Sequence, residues 1–204
     1  VKNHTDHLPH ELYSIIEASV PIICVDIVPV ILDEDGEVDS VGLILRKSPF
    51  GPVWCHLGGR VRYGETVADA IDRHVRETLS DTSAVIDDDP QPDYVYQWFP
   101  DAVAPRGDLP FGTDPRKHAV ALSFALELDG DPLPTEKGEA LEFEYFPVEK
   151  LPRPLWPGCE YLIERLVDDV SLPPEDDGID AIRAMEEEAD AIAGLERDNA
   201  DNTF

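Results

Sequence analysis

Apolar and polar positions follow two rhythms along this chain, and each rhythm predicts a different element. LPHELYSIIEAS, residues 8–19, sets Leu12, Ile15 and Ile16 at helical spacing behind Pro9, which suits a helix start, so a short N-terminal docking helix is expected within residues 1–19. PIICVDIVPVIL, residues 21–32, is β-branched and apolar, as a buried strand should be. The DEDGEVDS that follows reads as a turn, and VGLILRK, residues 41–47, as the hairpin partner. VWCHLGG predicts a brief strand. After the loop RVRYGE comes a helix over 66–79, on which Val67, Ile71, Val75 and Leu79 form one i, i+4 apolar row. YVYQWFP and HAVALSFALEL read as strands on either side of a Pro- and Gly-rich loop, residues 100–117, whose length marks it as functional. LEFEYFPV alternates and closes the strand set. From Pro157 a terminal helix presents Tyr161, Leu162, Leu166 and Val170 on its apolar face. Strands followed by single helices predict an α/β (α+β) sandwich over residues 20–172. Residues 173–204 form an acidic tail in which Ile182, Met185, Ala189 and Ile192 recur at 3, 4, 3 spacing. That pattern predicts a helix packed on its own body or on a second copy in a homodimer, with a solvated tail as the equal alternative.

Composition narrows the function. A length of 204 residues fits one domain with additions, and 42% apolar residues support one sizeable core. The longest apolar stretch is interrupted by Asp26 and is too short to cross a bilayer, so no membrane association is expected. VKNHTDHLPHEL lacks the apolar core of a secretory signal, which makes the cytoplasm the expected location. With 44 acidic against 16 basic residues the net charge is −28, and nucleic-acid binding by charge attraction is disfavoured. This acidity, with eleven Arg to five Lys, suggests adaptation to concentrated salt, which shortens the screening length to about 3 Å at 1 M. Cys24, Cys55 and Cys159 are odd in number and lack CxxC spacing; they read as buried thiols.

The chemistry concentrates in GGRVRYGETVADAIDRHVRETLSD, residues 58–81. A glycine pair lets backbone carbonyls and amides come close to a phosphate or metal, and the helix after it turns its N-terminus toward anions. His74, Glu77 and Thr78, at i, i+3, i+4, share one face as a cation platform, with Arg73 one turn before Glu77 to orient it. Arg46, Arg60, Arg62, Arg73 and Arg76 gather around this segment although Arg is sparse elsewhere, which points to an anion site. Asp26, inside an apolar strand, is read as functional because a buried carboxylate needs a partner. Glu65 and His56 are read as structural, and Trp98 with Phe99 as core residues that could also sandwich a nucleobase.

This segment resembles the Nudix hydrolases, whose signature is GX5EX7REUXEEXGU. Gly59, Glu65, Arg73, Val75 and Glu77 match it in register, while His74, Thr78, Ser80 and Asp81 depart from it. The order of elements over residues 21–170 is also that of the family, which implies an α/β/α sandwich with a mixed sheet. The nearest branch resembles the GDP-mannose mannosyl hydrolases, which also carry a degenerate box; the shared features include Asp26, Arg46, Trp54 before GGRV, and FGTDPRKHAVAL with Thr113, Asp114 and His118.

The resemblance implies that Arg46, Arg60 and Arg73 contact or organise a diphosphate. Asp26, Asp114 and His118 then lie on the substrate's other side, and Gly59, Glu77, Thr78 and Glu139 surround Mg²⁺ or Mn²⁺. Glu142 and Glu136 are neighbours that could replace Glu139. The branch's loop histidine has no counterpart in TEKGEALEFEYF, so the general base is left among His74, His118 and Glu139. The expected activity is metal-dependent hydrolysis of a nucleoside diphosphate linked to another group, such as a nucleotide sugar. The alternative is a catalytically weak or inactive module that binds a nucleotide or sugar nucleotide.

Overall fold

Strand order follows from one central strand that serves three partners. The structure, a computed structural model, describes residues 8–170, all within the unit Val1–Ser171. Along the chain run α1 (His10–Glu17), β1 (Ile22–Leu32), β2 (Val38–Ser48), β3 (Gly51–Cys55), β4 (Leu57–Arg60), α2 (Val67–Thr78), β5 (Leu79–Ala84) and β6 (Tyr94–Phe99). There follow β7 (Gly112–Thr113), β8 (Ala119–Leu126), β9 (Leu128–Pro134), β10 (Ala140–Pro147), a 3₁₀ turn Val148–Lys150 and α3 (Cys159–Val170). The main sheet has the order β10-β2-β1-β8-β6-β7, with β3 attached to β2 and β4 to β1; β5 and β9 make a separate two-stranded sheet. Parallel pairs (β1–β8, β6–β7) sit among antiparallel ones, which makes this a mixed, curled sheet of the α+β, Nudix-like kind.

β1 is parallel to β8 along one edge from Ile22 to Pro29. On the other edge it pairs with β4 at residues 24–27 and with β2 at residues 30–32. Val28 and Pro29 pair with neither strand on that edge. Pro29, which has no N–H to donate, is therefore tolerated in a central strand. At this point β1 passes from one partner to the other, and a cleft is lined by its residues on the β4 side, Cys24 and Asp26.

The core is built on β1 and both flanking helices. Val25, Ile27 and Val28 of β1, Ile71 and Val75 of α2, and Leu162 and Leu166 of α3 are fully buried. Helix α2 packs against β1, β4 and β5, and α3 against β2, β6 and β8. Thr66 starts α2 with a capping box: its hydroxyl accepts from the Asp69 N–H at 3.0 Å, and the Asp69 carboxylate accepts from the Thr66 N–H at 3.4 Å.

Several expectations shift in the folded chain. Helix α1 buries no residue: Leu12 and Ile15 stay exposed, and only Ile16 packs against the core. The β5–β9 pair was not visible in the pattern. LSDTSA is short and mostly polar and LDGDPLP has turn composition, so neither alternates, although Leu79 is buried and Ala84 and Leu128 pack on the core. A backbone ladder joins them, with the Ser80 and Thr82 hydroxyls donating to the Leu133 and Asp129 carbonyls. VWCHLGG divides into β3 and β4. All three cysteines are free and buried. The tail, residues 173–204, and the Val170 side chain lie outside the described residues. Among the described residues no helix is long and apolar enough to cross a membrane.

Leu162→Ala, at a position with no exposure, is expected to lower the unfolding free energy by about 2–5 kcal/mol. Thr66→Ala, which removes the cap, should cost about 1 kcal/mol. Urea unfolding of the two variants beside the parent chain measures both.

Candidate functional site

Two glycines bring the pieces within reach of one another. A Cβ at Gly58 (φ +130) would stand 2.1 Å from the Val25 carbonyl oxygen, and one at Gly59 would stand 2.7 Å from His74 Cε1. Only a bare backbone lets β4 lie so close to β1 and to the α2 side chains.

Arg73 frames the helix side. Its Nε and Nη2 donate to the two oxygens of Glu65 at 2.6 and 2.9 Å, Nη2 also reaches the Arg60 carbonyl at 3.0 Å, and Nη1 reaches Glu77 at 3.3 Å. Glu65 further accepts from the Arg62 N–H at 2.8 Å. The hydrogen bonds from Arg73 hold the Glu65 carboxyl down at about 2.

His74 uses both ring nitrogens in this frame. Nε2 donates to the Arg60 carbonyl at 3.2 Å, and Nδ1 accepts from Arg73 at 3.5 Å. Burial and the Arg73 charge hold its pKa below the ordinary value, so the ring is neutral with no lone pair open to a metal or a proton.

Beyond the frame, a groove is lined by Glu77, Thr78, His74 and Glu139 together with three cations, Arg62, Arg76 and Lys137. Glu77 is half exposed and pairs with Arg62 at 3.2 Å and Arg73 at 3.3 Å. Thr78 is buried. The loop carrying Glu139 is fastened to the end of α2 by Thr135, whose hydroxyl donates to the Glu77 carbonyl at 2.8 Å and whose N–H donates to the Thr78 carbonyl at 3.0 Å.

The cleft opened by β1 lies on the other side of Gly58. Asp26, 4% exposed, accepts from Trp98 Nε1 at 2.8 Å and from His56 Nε2 at 3.1 Å. His56 Nδ1 stands 3.7 Å from Cys159 Sγ. Burial opposes an imidazolium here, but the Asp26 charge and hydrogen bond overcome it and lift His56 to about 10, so the ring is a fixed cation at neutral pH.

Asp114, also buried, is gripped by Arg116 through Nε (2.8 Å), Nη2 (2.9 Å) and the backbone N–H (2.9 Å). Burial raises its pKa, yet the Arg116 contacts outweigh this and keep it below the ordinary carboxylate value. Arg46 and Arg116 lie over the same Trp156 ring, 5.6 and 5.3 Å from its centroid. Lys117 completes the wall. Four cationic groups, Arg46, His56, Arg116 and Lys117, thus face two carboxylates, Asp26 and Asp114, in a chain of net charge −28. Such a cleft favours an anion.

Cleft and groove meet at Gly58 and are joined by an ion pair. Arg46 of the cleft contacts Glu139 of the groove at 2.8 Å, and Arg46 Nε is buried with no acceptor. The structure therefore brings together Asp26, Arg46, Gly59 and Asp114 in the cleft and His74, Glu77, Thr78 and Glu139 in the groove, with Arg73 between them as frame. Two candidates stand apart. The Arg60 guanidinium covers the Tyr13 ring at 4.6 Å, in a separate depression beside α1. His118 stacks on Phe99 at 4.2 Å, its Nε2 buried and unpartnered, and lines neither pocket.

Trp98 is buried and spends its N–H on Asp26, so Trp98 and Phe99 form no sandwich. Arg116 and Lys117 were not singled out in the sequence, although DPRK at the end of the long loop is a readable cationic signal; His56, read there as structural, and Trp156 line the same cleft. His56 lies at the break between β3 and β4, where alternation stops predicting direction.

Among the described residues no three His, Cys, Asp or Glu side chains converge as a metal cage. The groove offers two carboxylates, Glu77 and Glu139. Mg²⁺ is commonly held by one or two carboxylates plus ligand phosphates. Arg46, whose Nη2 pairs with Glu139 at 2.8 Å, is the guanidinium nearest to these carboxylates from the cleft side. The donor set thus fits an ion shared with a phosphate-bearing ligand.

The family model described as a domain of unknown function, DUF4916, matches residues 4–156. No curated protein matches the chain. A crystal structure described as a possible asymmetric diadenosine tetraphosphate (Ap4A) hydrolase from Jonesia denitrificans is 32% identical, with TM-score 0.65 over 77% of this chain and 99% of that one. A MutT NUDIX hydrolase from Burkholderia pseudomallei is 22% identical, with TM-score 0.55 over 72% and 99%. A NUDIX-family hydrolase from Clostridium perfringens is 14% identical, with TM-score 0.51 over 74% and 97%. The last two share the fold.

Because the Glu65 carboxyl is held below its unfolded value of 4.5, its contribution to stability is complete above that pH and is lost as pH falls toward about 2. The stability gap between the parent and Glu65→Gln should be constant near neutrality and narrow below pH 4.5 in urea titrations. A gap that does not narrow would contradict the clamp.

Proposed function

The chain belongs to the DUF4916 family, and from that premise we propose that it hydrolyses a nucleoside diphosphate linked to another group, with Mg²⁺ or Mn²⁺ shared between protein and substrate. The observation that carries this reading is Arg46, which lines the cationic cleft and makes an ion pair to Glu139 in the neighbouring groove. Arg46, Arg116 and Lys117 supply hydrogen bonds and charge to the phosphates, guanidinium groups being suited to bidentate contacts. The His56 imidazolium adds a fixed positive charge at the cleft floor. Asp26, oriented by Trp98 and His56, accepts a hydrogen bond from a hydroxyl or N–H of the linked group. Glu77 and Glu139 would hold the divalent ion, which when bound neutralises diphosphate charge and polarises the phosphoryl oxygens.

Of the three general-base candidates, His118 lies outside the two pockets and His74 is engaged by Arg60 and Arg73, and Glu139 takes a proton from water only where Glu77 holds the ion without it. Nucleotide sugars fit the resemblance to the GDP-mannose branch. Dinucleoside polyphosphates enter through the Jonesia relative, whose description names Ap4A. A second reading, a binding module without efficient chemistry, is favoured by one observation: Glu77, the remaining paired glutamate of the box, is neutralised by two arginines while Thr78 stands in place of the other.

A panel of nucleoside diphosphate sugars, dinucleoside polyphosphates and nucleoside triphosphates, assayed in high salt with Mg²⁺ or Mn²⁺, separates the readings. The expected outcome is metal-dependent release of a nucleotide, a fall in kcat of about 10²-fold or more in Glu77→Gln, and a change mainly in KM in Asp26→Asn. Ligand-dependent thermal stabilisation without turnover of any compound would overturn the hydrolase in favour of the binding module.

A further inference from the structure

We propose that the Arg46–Glu139 ion pair makes the divalent ion and the phosphate-bearing ligand bind only weakly alone and tightly together, with Arg46 as the residue that couples them. The proposal rests on the reading of the site as one for a phosphate-bearing nucleotide.

In the structure both groove carboxylates are already neutralised. Glu139 is held by Arg46 at 2.8 Å, and Glu77 by Arg62 and Arg73 at 3.2 and 3.3 Å. The two sets differ in how easily they open. Glu77 is 52% exposed and its contacts are long, so water can replace them. Arg46 is 18% exposed, and its Nε is buried without an acceptor. Pulling Glu139 away would leave this guanidinium largely buried with no counter-charge, and stranding one half of a buried pair is strongly unfavourable.

A cation arriving alone must therefore compete with Arg46 for Glu139. A phosphate arriving alone finds the Arg46 Nη2 already held by Glu139 at 2.8 Å and meets that carboxylate, a like charge in a partly desolvated wall. When both arrive, the phosphate takes over Arg46, Glu139 turns to the cation, and every charge has an opposite neighbour. No other pair among the described residues joins a side chain lining the cleft to one lining the groove. Arg46 thus exchanges one anion for another, and by linkage each ligand must tighten the other by the same factor.

Mn²⁺ and methylenediphosphonate, a diphosphate mimic that cannot be hydrolysed and carries no base or sugar, are the probes. Free Mn²⁺ is followed by electron paramagnetic resonance and diphosphonate binding by calorimetry on the full chain. Affinities are corrected for the Mn²⁺–diphosphonate complex formed in solution. Each probe should tighten the other by about 10-fold or more. In Arg46→Gln that factor should fall to within about twofold, while Mn²⁺ alone binds more tightly than to the parent because Glu139 is released. Glu139→Gln, which retains the arginine, should also lose the coupling while binding diphosphonate alone more tightly, and it decides the matter if Arg46→Gln does not fold. Independent binding of the two probes to the parent chain, or full coupling in either variant, overturns the proposal and leaves the site reading intact. Failure of both probes to bind in any combination overturns the site reading and the coupling together.

Discussion

β1 has to share one edge between two partners, and the rest of the site depends on how it does so. Residues 24–27 pair with β4 and residues 30–32 with β2, while Val28 and Pro29 pair with neither on that edge. Cleft-lining residues of β1, β2 and β3 look into one space: Asp26 from the first, Arg46 from the second and Cys55 from the third. Gly58 then lets β4 approach the Val25 carbonyl closely enough to form the boundary between this space and the α2 groove. The chemistry is a consequence of strand pairing before it is a consequence of particular side chains.

Charge completes the picture. A chain of net charge −28 repels anions at long range, and salt confines that repulsion to short distances. Within the cleft the sign is reversed, and the cations are held in place by carboxylates: His56 by Asp26 and Arg116 by Asp114 inside it, Arg46 by Glu139 at its border. This arrangement keeps long side chains pre-oriented and stops the buried charges from stranding one another. It also means that a ligand enters by exchange of partners, so the Arg46–Glu139 pair at the border is the most telling contact in the site.

Much of this was legible in the sequence where periodicity and chemistry agreed. The apolar row of α2, its start near Thr66 and the register of Gly59, Glu65, Arg73 and Glu77 came directly from spacing, and the embedded carboxylate of β1 announced Asp26. Contacts between distant segments were not legible. The Asp26–His56 pair joins residues 30 positions apart in sequence across a strand break, and Arg46–Glu139 joins β2 to the loop before β10. His74 shows the limit most clearly. Its position on the box face suggests a ligand or base, but whether its nitrogens are free depends on the Arg60 carbonyl and the Arg73 guanidinium, which no local pattern reveals. The β5–β9 sheet escaped for a related reason: it joins two segments without alternating sequence through a backbone ladder and two hydroxyl–carbonyl hydrogen bonds.

A crystal of the chain soaked with Mn²⁺ and a non-hydrolysable nucleoside diphosphate analogue, with data collected at the manganese absorption edge, tests the central claim most directly. The account requires an anomalous peak between Glu77 and Glu139, with Arg46 turned from Glu139 onto a phosphate oxygen. An intact Arg46–Glu139 pair, with the nucleotide lodged elsewhere, such as the depression beside α1, would contradict it.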